Sequence, residues 1–341
     1  MTRGAPVTIA VADEDVARAI DEWIAGDRHQ GSVVGLRRRP WEYSTSAPLE
    51  FVTAVMDDGR EHNLVLKYLG PADTTEKARR VKPSFVINPR REIEVYRRLL
   101  APLQIGPSLV GSNIDLTSDS YWLLLEHVDG PRLTDVGELT AWAASARWLG
   151  ALHARLEPMV DGPLHRAAGL MECDREWYRV WMDRALQFFA SDDPSPSRHG
   201  RSALRWLAGR YDCVIERLVS LPLTLIHGDF YPSNVLVIGP PDNPRPCPID
   251  WEAASIGPGV LDLAALSAGN WSEQDRRELT AAYAAGAGSN LAPCAIGESL
   301  AYAHIHLAVQ QLGWFGRRRR PAAHARDWLA DAVDRAEALN L

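Results

Sequence analysis

In the run "LIHGDFYPSNVLV" (225–237), a carboxylate, Asp229, and a side-chain amide, Asn234, stand five positions apart between two apolar runs. A chain needing only a strand, a loop and a strand has no use for so crowded a turn of Gly, Pro and two aromatics. The pairing suits phosphoryl transfer: one group orients and deprotonates an acceptor hydroxyl, and another holds the metal that screens the phosphates. Sixteen residues past Asn234, after a second apolar run, "PIDWE" offers Asp250 as a further oxygen ligand. Hard donors of this kind fit Mg²⁺, which takes one or two carboxylates and completes its shell with phosphate oxygens and water. Upstream, Lys67 lies near the end of the alternating strand "NLVLKYL", and a helix bearing Glu92 and Glu94 follows. An inward strand lysine paired with a helix carboxylate can grip α- and β-phosphates.

Each residue also has a plainer reading. Asp229 and Asn234 taken singly are ordinary turn residues. Lys67 alone reads as a strand lysine snorkelling to water, Glu92 as a solvated helix charge, and Asp250 as the start of a turn. Coincidence loses ground because all of them occur in one order, with a hinge-like "LLLEHVDG" between the two groups.

The elements that must position these residues are legible in outline. Residues 13–26 read as an amphipathic helix with Val16, Ala19, Ile20 and Trp23 on one face and Gly26 as its stop. Strand-like pieces follow, "SVVGLRR", "EFVTAVM" and "HNLVLKYL", with "DDG" (57–59) as a hairpin turn. A polar, basic connector (72–91) leads to "PRREIEVYRRLLAPL", helical by the spacing of Ile93, Tyr96, Leu99 and Leu100. Two more strands, "SLVGSNID" and "SYWLLLEHV", complete a sheet of about five. After "VDGPRL" the chain becomes helical: 138–156, 174–190, 201–220, and most of the stretch from 260 onward, with a short β segment at 225–249. The expectation is an α+β protein of two lobes. A small antiparallel-sheet lobe, 1–128, would bind nucleotide; a larger, mainly helical lobe, 129–341, would carry catalysis and the acceptor, with a hinge near 126–130.

Composition narrows the class. The 341 residues carry 37 basic against 44 acidic groups, a net −7, so no nucleic-acid footprint shows in the charge. Basic residues are almost all Arg; the lysines are Lys67, Lys77 and Lys82. The four cysteines lie at least 34 residues apart, without metal-site spacing or the look of a disulfide framework. The sequence shows no signal peptide and no apolar window long enough to span a membrane, which points to a cytoplasmic protein without a membrane partner; monomer and homodimer both stay open.

Taken together, "VLKYLG", "RREIEVYRRLLA", "LLLEHVDG", "LIHGDFYPSNVLV" and "PIDWEAASIGPGVLDLAAL" resemble the aminoglycoside phosphotransferase family, small-molecule kinases with a two-lobed, protein-kinase-like fold. The likeness runs from about residue 33 to 270. It implies Asp229 as the catalytic base or hydroxyl-orienting carboxylate, and Asn234 and Asp250 as Mg²⁺ ligands. Lys67 would contact the phosphates of ATP or GTP, with Glu92 as its ion-pair partner; Glu94, about 200° further round the helix, cannot share that role. Glu126, His127 and Val128 would lend backbone groups to the base. His227 would be a structural loop residue, and Asp262 would brace the catalytic loop. Two features depart from the pattern. No G-x-G-x-x-G covers the phosphates, and "RRRPWEYSTSAPLEF" takes its place, making Ser44, Thr45 and Ser46 candidates for phosphate contact beside a basic turn, Arg37 to Arg39, that reads equally as solvated. The connector between Lys67 and Glu92 is long and basic, like a flap.

For the acceptor, "MECDREWYRVWMDRALQFF" (171–189) supplies Glu172, Asp174, Glu176 and Asp183 among Trp177, Tyr178 and Trp181, and a later helix adds His304, His306, Trp314 and Phe315. Acidic groups suit a polycation and aromatics suit sugar faces; the same residues also read as surface charge and core. Arg317 to Arg320 reads as a solvated helix end or an anion site. The resemblance implies transfer to a hydroxyl of a small molecule, an aminoglycoside-like antibiotic or a sugar-containing natural product. A primary-metabolism kinase for a sugar, choline-like or amino-alcohol substrate is the alternative, and a nucleotide-binding pseudokinase a more distant one.

Overall fold

The computed structural model describes residues 11–26, 31–41, 47–75, 82–160, 162, 169–190, 198–269, 271–288, 293–315 and 326–341. It divides into two compact units.

The first unit comprises Met1–Gly130 together with Gly169 and Cys247–Glu252. Helix α1 (Asp13–Gly26) buries Val16, Ile20 and Ile24. Three strands follow, β1 (Val33–Pro40), β2 (Leu49–Met56) and β3 (Glu61–Tyr68). Residues 91–103 form α2, α-helical over Arg91–Val95, π-helical over Tyr96–Leu100 and α-helical again over Ala101–Leu103. Strands β4 (Leu109–Asp115) and β5 (Ser120–Glu126) complete an antiparallel five-stranded sheet in the order β1-β2-β3-β5-β4. Strand alternation sorts the faces of this sheet. Leu64, Leu66 and Tyr68 of β3 join Val52, Ala54, Met56, Val110, Trp122 and Leu124 in one core with the apolar stripe of α1. Lys67, between Leu66 and Tyr68, is thereby turned to the other face. Arg38 ties α1 to the sheet, donating to Asp13, the Val11 carbonyl, Glu50 and the Tyr68 hydroxyl at 2.7–2.8 Å.

The second unit comprises residues from Pro131 onward apart from those assigned to the first. In chain order it contains α3 (Leu139–Leu156), β6 (Met171–Glu172), α4 (Arg175–Ala190), α5 (Arg198–Ala208), α6 (Tyr211–Val219) and β7 (Leu223–Ile226). Strands β8 (Val235–Ile238) and β9 (Arg245–Pro248) pair as a hairpin, and β10 (Ser255–Pro258) lies between β6 and β7 in a three-stranded sheet. Helices α7 (Val260–Leu266), α8 (Glu273–Ala287), α9 (Pro293–Phe315) and α10 (Trp328–Ala338) follow. Helices α3 and α8 cross closely because Gly150 and Gly286 stand at the crossing. A Cβ on either would run into the other helix's backbone, at the Tyr283 and Arg147 carbonyls respectively.

The α+β class, with its antiparallel sheet first and helices after, is as the sequence indicated. Two details differ. The single helix expected over 201–220 is two, because Gly209, a poor helix residue, interrupts it and Arg210 begins the next at φ −115°. The second unit holds more β structure than expected, since β10 and the two-residue β6 are too short to show a period. Among the described residues no helix is long and apolar enough to cross a membrane.

Candidate active site

In the first unit, Lys67 Nζ lies 2.6 Å from Glu92 Oε2 and 2.5 Å from Asp250 Oδ1. The meeting follows from two periods: β3 turns Lys67 away from the α1 core, and the first turn of α2 presents Glu92, which is 2% exposed. Glu94 points elsewhere and pairs with Arg98. Glu92 also accepts the backbone N–H of Trp251 at 3.2 Å, so it holds both the lysine and the turn that carries Asp250. Asp250 itself sits at φ 66°, the left-handed region that a non-glycine residue enters only when its surroundings compel it. Such strain clusters where a side chain must be aimed.

Burial opposes the charge on Lys67, but Asp250, Glu92 and Glu252 outweigh it and hold the ammonium well above the ordinary lysine range. Glu92 is the member slow to ionise. Burial pushes its carboxyl up to about 7 against the pull of Lys67, and Asp250 and Glu252 add to the rise.

A second ion pair adjoins the first. Lys82 Nζ bridges both carboxylate oxygens of Glu252 at 2.6 Å. The buried Arg91 donates to the carbonyls of Val86 and Gly169 at 2.9 Å and of Glu252 at 3.0 Å. Burial pushes its guanidinium down to about 10, with Glu252 partly offsetting. The triplet Asp250–Trp251–Glu252 is therefore gripped at every residue. Reading from sequence missed Lys82, Glu252 and Arg91. The rarity of lysine was the available signal, for two of the three in the chain belong to this cluster. The end of the connector is thus tethered at Lys82 and does not hang as a flap there; Lys77, Arg79 and Arg80 lie outside the described residues, as do Ser44, Thr45 and Ser46.

At the proposed hinge, the N–H groups of Glu126 and His127 are donated to the Ser108 and Asn63 carbonyls at 3.0 and 2.9 Å. The sheet thus takes the N–H groups of two of the three residues whose backbone was expected to meet a base. Glu126 accepts the Ser108 hydroxyl at 2.7 Å. The His127 ring packs edge-on to Phe51 at 4.9 Å and near Trp41 at 5.8 Å, while Arg39 lies over Phe51.

In the second unit, β7 delivers the loop at His227. Gly228 takes φ 78°, and a Cβ there would strike the Ala253 carbonyl, so only glycine makes this turn. Asn234 Nδ2 donates to the Asp229 carbonyl and to Asp229 Oδ2, both at 2.9 Å, closing the loop on itself. His227 Nδ1 accepts the Asp229 N–H at 3.3 Å. Asp262, buried at the start of α7, accepts the N–H of His227 at 2.6 Å and of Gly228 at 2.9 Å. Gln311 on α9 donates to the Tyr231 hydroxyl at 2.6 Å.

The residues expected to line an acceptor pocket divide. Trp181 is 1% exposed and stacks on Trp314 at 5.4 Å, so it is core and offers no face to a ligand here, a correction to its expected role. Trp177, partly exposed, packs against Tyr178 and His306 at 5.1 and 5.0 Å. Burial lowers His306 to about 3, which leaves it a neutral ring bonded through Nδ1 to the Tyr211 hydroxyl. Asp174 caps α4 by accepting the Trp177 N–H at 2.8 Å, and Glu172, Glu176 and Asp183 are exposed. The helical spacing of the aromatics records packing of α4 on α9. Arg317 to Arg320 lie outside the described residues.

The chain belongs to the phosphotransferase enzyme family, whose model matches residues 74–296. A comparison with curated protein sequences finds no match. Among solved structures, the chain is similar to a GDP complex of a mutant aminoglycoside 2'-phosphotransferase IIIa, with TM-score 0.56, 15% identity, and 95% of this chain and 98% of that one covered. The choline kinase LicA from Streptococcus pneumoniae gives TM-score 0.54 at 14% identity, with 95% and 99% covered. The macrolide 2'-phosphotransferase MphH from Brachybacterium faecium gives TM-score 0.50 at 21% identity, with 92% and 98% covered. These likenesses establish a kinase-like phosphotransferase fold, and the family makes the chain an enzyme.

Proposed function

We propose that this phosphotransferase moves the γ-phosphoryl group of ATP or GTP, with Mg²⁺, onto a hydroxyl of a small molecule, an antibiotic or sugar-containing natural product. The observation that carries the reading is the latched loop, in which Asn234 fixes the carboxylate of Asp229 at a defined place in a tight turn. Asp229 would orient the hydroxyl and take its proton, while Lys67, oriented by Glu92, would meet the α- and β-phosphates. Val128 would offer its N–H to the base. Asp250 and Asn234 fit a hard cation by donor chemistry: one is a carboxylate, and the other, with its amide nitrogen turned to Asp229, has its oxygen for metal. Among the described residues no cluster of three His, Cys, Asp or Glu could hold a metal alone, in keeping with a cation that depends on the nucleotide for its remaining ligands. The cation would neutralise charge that develops on the phosphates.

The similarity to a choline kinase supports a second reading, a kinase of primary metabolism. A pseudokinase fits less well, since Lys67, Glu92, Asp229, Asn234 and Asp250 are all present. An acceptor library combining aminoglycosides, macrolides and other sugar-bearing antibiotics with sugars, choline and amino alcohols separates these readings. With ATP and GTP each supplied with Mg²⁺, mass spectrometry should find one class gaining a phosphoryl group. Nucleotide binding without transfer to any acceptor would return the case to a pseudokinase.

A further inference from the structure

Three arginines from different parts of the second unit gather around one buried histidine. Arg276 lies on α8, Arg335 on α10 and Arg326 just before α10, and all three act on the ring of His304 on α9. Arg326 is the anchored member. Its Nε donates to Asp331, its Nη1 donates to the Ala268 carbonyl, and its guanidinium lies over the Trp328 ring at 4.7 Å. The other two have no such anchor. Among the described residues, the side chains of Arg276 and Arg335 make no hydrogen bond and no ion pair, and Arg276 Nε is buried without a partner. We propose that Arg276, Arg326 and Arg335 form a binding site for a phosphate group, separate from the site that carries Asp229. His304 precedes Gln311, the α9 residue that meets the catalytic loop, by two turns, or about 10 Å along the helix.

The protein does not itself neutralise this cluster. On α8 and α10, Asp331 is committed to Arg326, Glu273 to Arg277, and Asp275 to the Ser272 cap. Glu278, Asp334 and Glu337 are exposed. Asp331 and Asp334 reach Arg335 only across a distance, and they do less than Arg276 and Arg326 do against it. Burial first, then those two arginines, hold its guanidinium below the ordinary arginine range. His304 adds no counter-charge. The Ser267 hydroxyl donates to the Leu263 carbonyl at 2.7 Å, so His304 Nε2, 3.2 Å from that hydroxyl, donates to it. Burial and the three arginines keep the ring neutral. Half-buried guanidiniums without acceptors are costly, and like charges held in one another's field repel. An anion relieves both.

The donors indicate which anion. Arginine's planar fork matches the paired oxygens of phosphate and of carboxylate. Forks arriving from α8, from α10 and from the segment before α10 suit a tetrahedral group with oxygens on several sides, which a flat carboxylate lacks. Arg276 and Arg335 are both partly exposed, so the group enters from solvent. Inorganic phosphate and a phosphate ester present the same oxygens to these donors.

The site does not depend on the reaction proposed above, and neither does its test. Titration calorimetry and thermal melts use inorganic phosphate at constant ionic strength, with nucleotide and Mg²⁺ absent. The wild type should bind phosphate saturably and melt at higher temperature as the site fills. Arg276→Gln and Arg335→Gln should each weaken binding by about 10-fold or more, the loss expected for a hydrogen bond to a charged group. They lie on different helices, so one stays informative if the other does not fold. Lys67→Met, which removes the lysine expected to meet nucleotide phosphates, should keep the phosphate affinity. Glycerol phosphate in the same titration separates the sources: tighter binding than inorganic phosphate identifies an ester as the ligand, and weaker binding identifies the free ion. Absence of phosphate binding, binding lost in Lys67→Met, or wild-type affinity in both arginine variants overturns the proposal.

Discussion

Lys67 and Glu92, 25 residues apart in sequence, meet as a buried ion pair with Nζ 2.6 Å from Oε2, and Asp250 takes the other side of the same ammonium. Three carboxylates, with Glu252, surround two lysines, and the balance between them sets both stability and the readiness of Lys67 to receive a phosphate.

Glu92 should make the free enzyme less stable as pH rises. Its folded value of about 7 lies above the ordinary 4.5, so the folded state holds a proton that the unfolded chain has released across that window. The stability it contributes is present in full below the ordinary carboxylate range and is lost as pH climbs to about 7, at most about 3 kcal/mol. Glu92→Gln removes the dependence. Urea unfolding at several pH values should show the wild type falling behind Glu92→Gln as pH rises, while the variant binds nucleotide more weakly. Parallel stability curves for the two proteins would refute the assignment.

The Lys82–Glu252 pair should behave as a coupled tether. Lys82→Met and Glu252→Gln each strip one partner from a half-buried contact, and the double variant should cost less than the two single losses together. A coupling of about 1 kcal/mol is expected for charges in direct contact. The cycle is read by denaturant unfolding, and additivity within error would show the pair to be idle.

Asp229→Asn should leave nucleotide binding intact and remove most of the phosphoryl transfer, on the order of 10² in rate or more, as for other lost acid–base groups. Calorimetry with nucleotide and product analysis with the identified acceptor measure the two halves separately. Near-wild-type turnover would sink the role given to this carboxylate.

Gly286→Ala and Gly297→Ala should have opposite signs. At Gly286 the new methyl meets the Arg147 backbone, and overpacking of that kind costs about 1–3 kcal/mol. At Gly297, on the exposed side of α9, nothing lies within 4 Å, and alanine in a helix should gain about 0.5–1 kcal/mol. Thermal melts of the two variants decide, and a shared direction would contradict the packing described for α3 and α8.

The sequence disclosed those parts of the molecule that follow a local rule. Strand β3 and helix α1 carry the periods of their burial, and the Asp229–Asn234 loop has a spacing fixed by its own closure. What stayed hidden depends on distant residues. Lys82 meets Glu252 across 170 positions, and His153 meets Tyr283 across 130, with no periodic trace of either. The aromatic run of α4 misled because one spacing serves a ligand face and a packed helix equally. Trp181 became core when α9 supplied Trp314 to cover it.

The scarcity of lysine gives this enzyme a built-in reporter. Lys67 and Lys82 are each close to 10% exposed and tied to carboxylates, in a chain whose remaining basic side chains, apart from Lys77, are arginine. Amine-selective reagents therefore encounter almost no background: the N-terminus and Lys77 are the other primary amines. The extent to which such a reagent labels Lys67 reads the state of the ion-pair cluster directly, and a nucleotide lying on that ammonium would register as protection in a single peptide.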